Sequence, residues 1–280
     1  MSTDAGTPPA LEAASPYELR VGLARDVPEA DMRQAVASGD AGFLHSFTTG
    51  SAVDGPGVRV VAWTAGCLWR CVYCHNPDTW TMRNGIPVSL ATATEQLRKY
   101  RHGLQAMSGG LTISGGEPLM QHHFVLKLFA AAKAMGVHTA LDTNGYLGQR
   151  VGDDALQDID LVLLDIKAWD PEQHRRYVGM DIGPTLEFAE RLAARRRPIW
   201  IRHVVVPGWT DDGKTARGIA AFAQGLGNVE RVDVLPFHQM GRYKWMALNM
   251  PYTLAAVEPP SPEAVQRSVD AFRDAGLRAY

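Results

Sequence analysis

From Val58 onward, apolar runs of strand length alternate with amphipathic stretches of helical period. Few architectures accept that pattern. Strands that are apolar throughout, rather than at every second position, belong in a sheet buried on both faces. Helices between the strands supply the cover, so the sheet is largely parallel. The expected strands are Arg59–Thr64, Gly110–Ser114, His138–Asp142, Leu161–Ile166, Ile199–Val206 and Val229–Leu235. The expected helices are Phe124–Met135, stopped by Gly136 as a C-cap, then Leu186–Arg197, Gly213–Leu226 and Ser261–Ala275. Six such units are too few for a closed eight-stranded barrel. The fold class is therefore α/β, a partial (β/α)6 TIM-like barrel of parallel strands with its active site at the C-terminal strand ends.

Polar residues collect at that edge. The expected strands run, in order, into Thr64 just before a cysteine-bearing loop, then Gly115-Gly116-Glu117, Asp142-Thr143-Asn144, Asp165-Ile166-Lys167, Arg202-His203 and Pro236-Phe237-His238. Asp165 and Lys167 are two apart on a strand and share a face. Arg202 lies in an apolar strand, where an unpaired charge is costly, so a ligand carboxylate or Asp165 is its expected partner. The two glycines allow close backbone approach to a ligand, and Glu117 can accept from an ammonium.

All three cysteines of the 280-residue chain, Cys67, Cys71 and Cys74, fall within eight residues. Three is an odd number for disulfides, and clustered thiolates suit a soft metal. A [4Fe–4S] cluster takes four cysteines, so three leave one iron open to an outside ligand. Structural zinc with His75 as fourth ligand is the alternative. It lacks a second knuckle, and His75 follows Cys74 directly, an awkward geometry for shared coordination.

Charge and composition exclude other classes. A net charge of −2 argues against nucleic acid and membrane surfaces as partners. Arg195-Arg196-Arg197 reads as a solvated last helical turn rather than a nucleic-acid patch. His122-His123 reads as exposed surface, since neighbours on a helix point apart. No apolar stretch reaches membrane-spanning length, Met1–Gly6 lacks the character of a leader, and free thiols without an export signal point to the cytoplasm. Residues 1–42, rich in Ala, Pro, Ser, Asp and Gly, read as a mobile N-terminal extension with a short helix around Pro28–Ala37. Residues 43–280 form the domain.

The C-x3-C-x2-C motif with Tyr73 before its last cysteine resembles that of the radical S-adenosylmethionine (SAM) superfamily. Further runs, Thr49–Gly57, Tyr73–Trp80, Leu141–Gly145, Trp200–Trp209 and Leu235–His238, resemble the pyruvate formate-lyase activating enzyme family in order along the chain. The resemblance covers residue 43 to the C-terminus. It implies an oxidoreductase of anaerobic glucose metabolism, in which Cys67, Cys71 and Cys74 hold three irons and SAM chelates the fourth. One electron, from a flavodoxin- or ferredoxin-type donor, then cleaves SAM to methionine and a 5′-deoxyadenosyl radical. That radical takes a hydrogen atom from a backbone glycine in the glycine loop of pyruvate formate-lyase.

The same resemblance assigns cofactor contacts to Tyr73, His75, Gly115, Gly116, Glu117, Asp165, Ile166, Lys167, Arg202 and His238. It assigns a monovalent-cation site to Asp142, Thr143 and Asp165, and a substrate-peptide contact to Asp54 in the turn Asp54-Gly55-Pro56-Gly57. The stretch from Cys74 to Gly115 carries no further cysteine, which favours this type over activases with added clusters. Two alternatives remain: a radical SAM enzyme acting on another glycyl-radical enzyme or substrate, and a non-catalytic metal-binding module.

Overall fold

A computed structural model describes residues 26–280. Its eight strands form one sheet in the order β3-β1-β2-β4-β5-β6-β7-β8. Six of them are the parallel strands expected from sequence: β2 (Arg59–Thr64), β4 (Gly110–Gly115), β5 (His138–Thr143), β6 (Leu161–Asp165), β7 (Ile199–Val205) and β8 (Val229–Pro236). Each is followed by helical structure that packs back on the sheet, so the carboxyl ends of all six lie along one edge. The remaining pair, β1 (Ala41–Ser51) and β3 (Ile86–Ser89), is antiparallel and extends the sheet beyond β2. Sequence reading did not separate these two. β1 mixes Gly, Ser, Thr and His with its apolar residues, and β3 is four residues with a proline, tolerable only at an edge.

The sheet separates two apolar layers. Outside it, helices α2 (Leu90–Ala106), α3 (His122–Ala134), α5 (Gly183–Ala194), α6 (Lys214–Leu226) and α8 (Pro262–Asp274) bury one stripe each, through residues such as Leu97, Leu128, Leu192, Ile219 and Phe272. Inside the half-barrel, Ala140, Leu161, Leu163 and Trp200 make a small floor. β7 shows how one strand serves both layers. Ile199, Ile201, His203 and Val205 are buried, and the alternate residues Trp200, Arg202 and Val204 are only partly so. A third apolar cluster, around Cys67, Trp69, Tyr73, Tyr177 and Phe237, sits above the strand ends.

Several sequence expectations need correction. Of the proposed mobile extension, residues 1–25 lie outside the described residues, but residues 26–42 belong to the fold. α1 (Met32–Ser38) leads into β1, whose first two residues, Ala41 and Gly42, pair with Ser89 and Val88. The Asp26 carboxylate accepts from the Ser89 backbone N–H and the Ser89 and Thr92 hydroxyls at 2.5–2.8 Å, at the start of α2. Ala194 ends α5, so Arg195–Arg197 form the turn after it, with Arg196 at φ +53°. His122 and His123 do not point apart; their ring centroids lie 3.9 Å apart at the head of α3, just after the 3₁₀ turn Pro118–Gln121.

On α3, neighbouring positions test how the fold is held. Leu128 is fully buried, whereas Lys127 only reaches the exposed Asp40 at 2.7 Å. Leu128→Ala should cost about 2–5 kcal/mol of unfolding free energy. Lys127→Ala should stay within about 0.5 kcal/mol. Urea titration of both variants reads the difference.

Candidate functional site

The loop between β2 and β3 carries the cysteines, and its backbone is pinned from several sides. Gly66 N–H donates to Thr79 O and Cys67 N–H to Trp80 O, closing the loop on itself. Arg70 and Val72 N–H groups donate to Val178 O and Tyr177 O at the end of α4 (Pro171–Val178). The Arg70 guanidinium holds the carbonyls of Cys67 and Trp69 at 2.7 and 2.8 Å and lies over the Trp80 ring. α7 (Arg242–Ala247) caps the far side. Its Trp245 indole donates to Cys74 O at 2.9 Å, and its Lys244 ammonium reaches Asn76 and Asp78 at 2.9 and 3.1 Å.

The next turn fits against this loop. A Cβ on Gly115, at φ +120°, would stand 2.2 Å from Thr64 O, and one on Gly116 would stand 2.4 Å from Gly66 O. The backbone that these glycines let approach is thus the cysteine loop itself, more directly than a ligand. Glu117 is also redirected. Its carboxylate is buried and accepts from Leu119 N–H, the Thr143 hydroxyl and Asn144 N–H at 2.7–2.9 Å. Burial pushes its pKa up to about 7 against the pull of those three donors. Glu117 therefore ties the β4 and β5 ends together and does not face the cavity.

One cavity of about 320 Å³ opens at the carboxyl ends of the strands. Cys67, Cys71 and Cys74 line it together with Tyr73, His75, Gly115, Gly116, Asp142, Asp165, Lys167, Arg202, His238 and Asp54. Thus thirteen residues singled out from sequence meet in one place. The other three, Glu117, Thr143 and Ile166, do not line it. Ile166 is fully buried in the core; its N–H donates to Arg202 O and its carbonyl accepts from His203 Nδ1, so it is a tie between strands. The Thr143 hydroxyl is committed to Glu117 and to Gly145 N–H.

The cavity wall is an ion-paired network. Lys167 Nζ lies 2.9 Å from Asp165, and Arg202 lies 3.1 Å from Asp142 and 3.7 Å from Asp54. Of the two partners expected for Arg202, a ligand carboxylate or Asp165, the latter is its neighbour in register. Lys167 occupies that carboxylate instead, and the guanidinium reaches across to β5. Burial lowers the proton affinity of both cations, yet the facing carboxylates win and hold each above its ordinary value. Ser114 donates to Asp142 at 2.6 Å and Ser51 to Asp54 at 2.5 Å, fixing both acids. The His75 ring stands edge-on to His238, 4.8 Å between centroids.

The donor set can be tested against an iron–sulfur cluster on these residues alone. Burial pushes the three thiols up, Cys67 to about 12 and Cys74 to about 11, with Cys71 well above the normal thiol range. Thiols so placed ionise only when a bound metal supplies compensating charge. Among the described residues no three His, Cys, Asp or Glu side chains converge as a single metal site. The thiols instead share the cavity wall, as ligands to separate irons of one cluster would. They fit the group.

Sequence reasoning missed Trp69, Trp80, Asp78, Lys244 and Trp245. Asp78 is held by His45 at 3.0 Å as well as by Lys244. Lys244 stands 168 positions from Asn76 and carries no local signal. The two tryptophans Trp69 and Trp80 flank the cysteines and were visible as bulky loop residues without a role.

Comparison with known proteins bears on this geometry. The model of the radical SAM superfamily matches residues 61–217. Pyruvate formate-lyase 1-activating enzyme of Escherichia coli strain K12 is 44% identical over 228 residues, 81% of this chain and 93% of that one. The pyruvate formate-lyase-activating enzyme of Staphylococcus aureus strain USA300 is 43% identical over 232 residues, 80% and 92% of the two chains. Among solved structures, a domain of pyruvate-formate lyase-activating enzyme from Bacteroides vulgatus matches with a TM-score of 0.52 and 26% identity, covering 61% of this chain and 98% of that domain.

Removing the Glu117 carboxylate strands three donors in the interior. Glu117→Ala should lower unfolding stability by about 3 kcal/mol or more, as the loss of a buried charged hub does. Chemical denaturation of the metal-free protein measures it. A loss under about 1 kcal/mol would show that the strand ends do not depend on this residue.

Proposed function

Since the chain belongs to the radical SAM superfamily and aligns almost end to end with its pyruvate formate-lyase activating enzymes, we propose that the cavity at the strand ends is the site of reductive SAM cleavage. The protein is an enzyme of that activating type, using a [4Fe–4S] cluster and SAM to create a glycyl radical in pyruvate formate-lyase. The observation that carries the site assignment is the meeting of Cys67, Cys71 and Cys74 with Lys167 and His238 around one cavity. When bound, the cluster supplies the electron that opens the sulfonium C–S bond.

The remaining roles fall to this chain's own groups. Lys167 offers an ammonium to the SAM carboxylate, with Asp165 holding it in place. The Gly115–Gly116 backbone, which lines the same cavity, would meet the amino end. His75, His238 and Tyr73 edge the adenosine, and the buried Tyr73, Trp69 and Phe237 keep water from the reacting atoms. Asp142 and Asp165 supply the carboxylates near which a monovalent cation would sit, with backbone oxygens completing its shell. Arg202 holds Asp54 and Asp142 on either side of the cavity floor. Asp54 then faces the glycine backbone of the partner.

The reductant is a flavodoxin- or ferredoxin-type protein, and the enzyme works in the cytoplasm. Among the described residues no helix is long and apolar enough to cross a membrane.

Two measurements test the assignment. Lys167→Ala and His238→Ala should weaken SAM binding to anaerobically reconstituted protein about tenfold to a hundredfold, leaving iron and sulfide content unchanged. Wild-type affinity in both would remove the cavity edge as the SAM site. Separately, a peptide carrying the pyruvate formate-lyase glycine loop with α-deuterated glycine should deliver deuterium into 5′-deoxyadenosine. Asp54→Ala should depress that transfer more than it depresses cleavage of SAM alone. SAM consumption without deuterium transfer would point to another substrate.

A further inference from the structure

Reductive cleavage needs a one-electron donor, and the outer face of the cysteine loop has the character of a protein-docking surface. Seven large apolar residues are exposed among those described, and four of them, Leu68, Met240, Tyr243 and Met246, lie on the two segments that enclose the cysteines. Leu68 sits between Cys67 and Cys71. Met240, Tyr243 and Met246 follow a spacing of three along the 3₁₀ turn Gln239–Gly241 and α7, so they share a face. The segments are in contact: Arg70 lies over Trp80, Trp80 packs edge-on against Trp245 at 5.2 Å, and Gly241 lies against the His75 backbone. Apolar exposure concentrated in this way marks an interaction site.

The charge of the surface selects the partner. Across residues 66–80 and 236–250 the only acidic residue is Asp78, which is buried between His45 and Lys244. Arg70 and Arg242 are exposed, so the outward charge of this region is positive in a chain of net charge −2. The region is also wired inward: the Trp245 indole on α7 bonds the carbonyl of Cys74.

We propose that the face formed by α7 and the cysteine loop docks an acidic one-electron carrier protein. Its electron enters through the Trp245–Cys74 contact. The carrier loses one electron and the cluster gains it; no bond forms and no proton moves at this surface. The inference rests on the proposed SAM chemistry for its need of an electron, but its test is separable.

The probe is a purified acidic flavodoxin, added anaerobically to the reconstituted holoenzyme. Complex formation is read by flavin fluorescence, and electron transfer by stopped-flow absorbance. Binding should weaken at least about tenfold between about 20 mM and about 200 mM salt. Arg242→Glu with Met246→Glu, both exposed positions, should weaken it by a similar factor. Cleavage of SAM driven by dithionite, which needs no docking surface, should stay at the wild-type level. Unchanged flavodoxin affinity in the double variant would overturn the proposal. So would sedimentation showing that the variant abolishes a dimer of this chain, or a loss of pyruvate formate-lyase binding with flavodoxin binding intact. Wild-type enzyme that yields no glycine radical with dithionite would instead sink the proposed function, leaving the docking measurement readable.

Discussion

Three thiols must ionise together in a place where burial opposes each of them. Cys67, Cys71 and Cys74 are held above the pH at which free thiols lose a proton, chiefly by desolvation, with neighbouring thiols adding to it at Cys67 and Cys71. That arrangement is tolerable only as half of a site. The surrounding structure reads as the means of keeping the loop in one geometry until metal arrives. Backbone bonds join it to its own return, to α4 and to the β4 turn, while α7 closes the outer side. A loop of this length without such ties would collapse onto its own apolar residues and lose the spacing.

The same logic orders the strand ends. Asp54, Asp142 and Asp165 face Lys167 and Arg202 in a cavity where any unpaired charge would be expensive. Each cation is paired with carboxylates of the protein. A zwitterionic ligand such as SAM offers its own carboxylate and ammonium, so pairs can be exchanged without stripping any group of its partner. The site is therefore poised for a ligand carrying both charges, and a neutral molecule of the same shape would leave the pairs as they are. Specificity in this view comes from charge exchange more than from shape.

Much of this was legible before any coordinates. The parallel strands declare themselves because each carries a short apolar run with polar residues at or just beyond it, and both signals are local. The cysteine spacing was readable for the same reason, whereas Lys167 and His238 entered as cofactor contacts through the family resemblance. Edge strand β3 was not, since four residues containing a proline have no periodicity to detect. Glu117 and Ile166 fall outside the cavity lining, since a motif shows adjacency to a site and not direction. Glu117 points into the protein, and only the positions of Leu119, Thr143 and Asn144 reveal that. Trp245 and Lys244 were invisible because their contacts join residues about 170 positions apart.

Glu117 also shows why a motif can persist in a site it does not touch. The two glycines before it bring the β4 turn against Thr64 and Gly66 at distances no side chain allows. Its own N–H donates to Gly66 O, and its carboxylate reaches across to β5. One residue thereby fixes the cysteine loop, the β4 turn and the β5 end relative to one another. Moving any of the three would shift a thiol, the glycine backbone or Asp142 within the same cavity. A ligand that spans from the cysteine wall to Lys167 needs those parts in register. The geometry of the cavity thus depends on a carboxylate that does not line it.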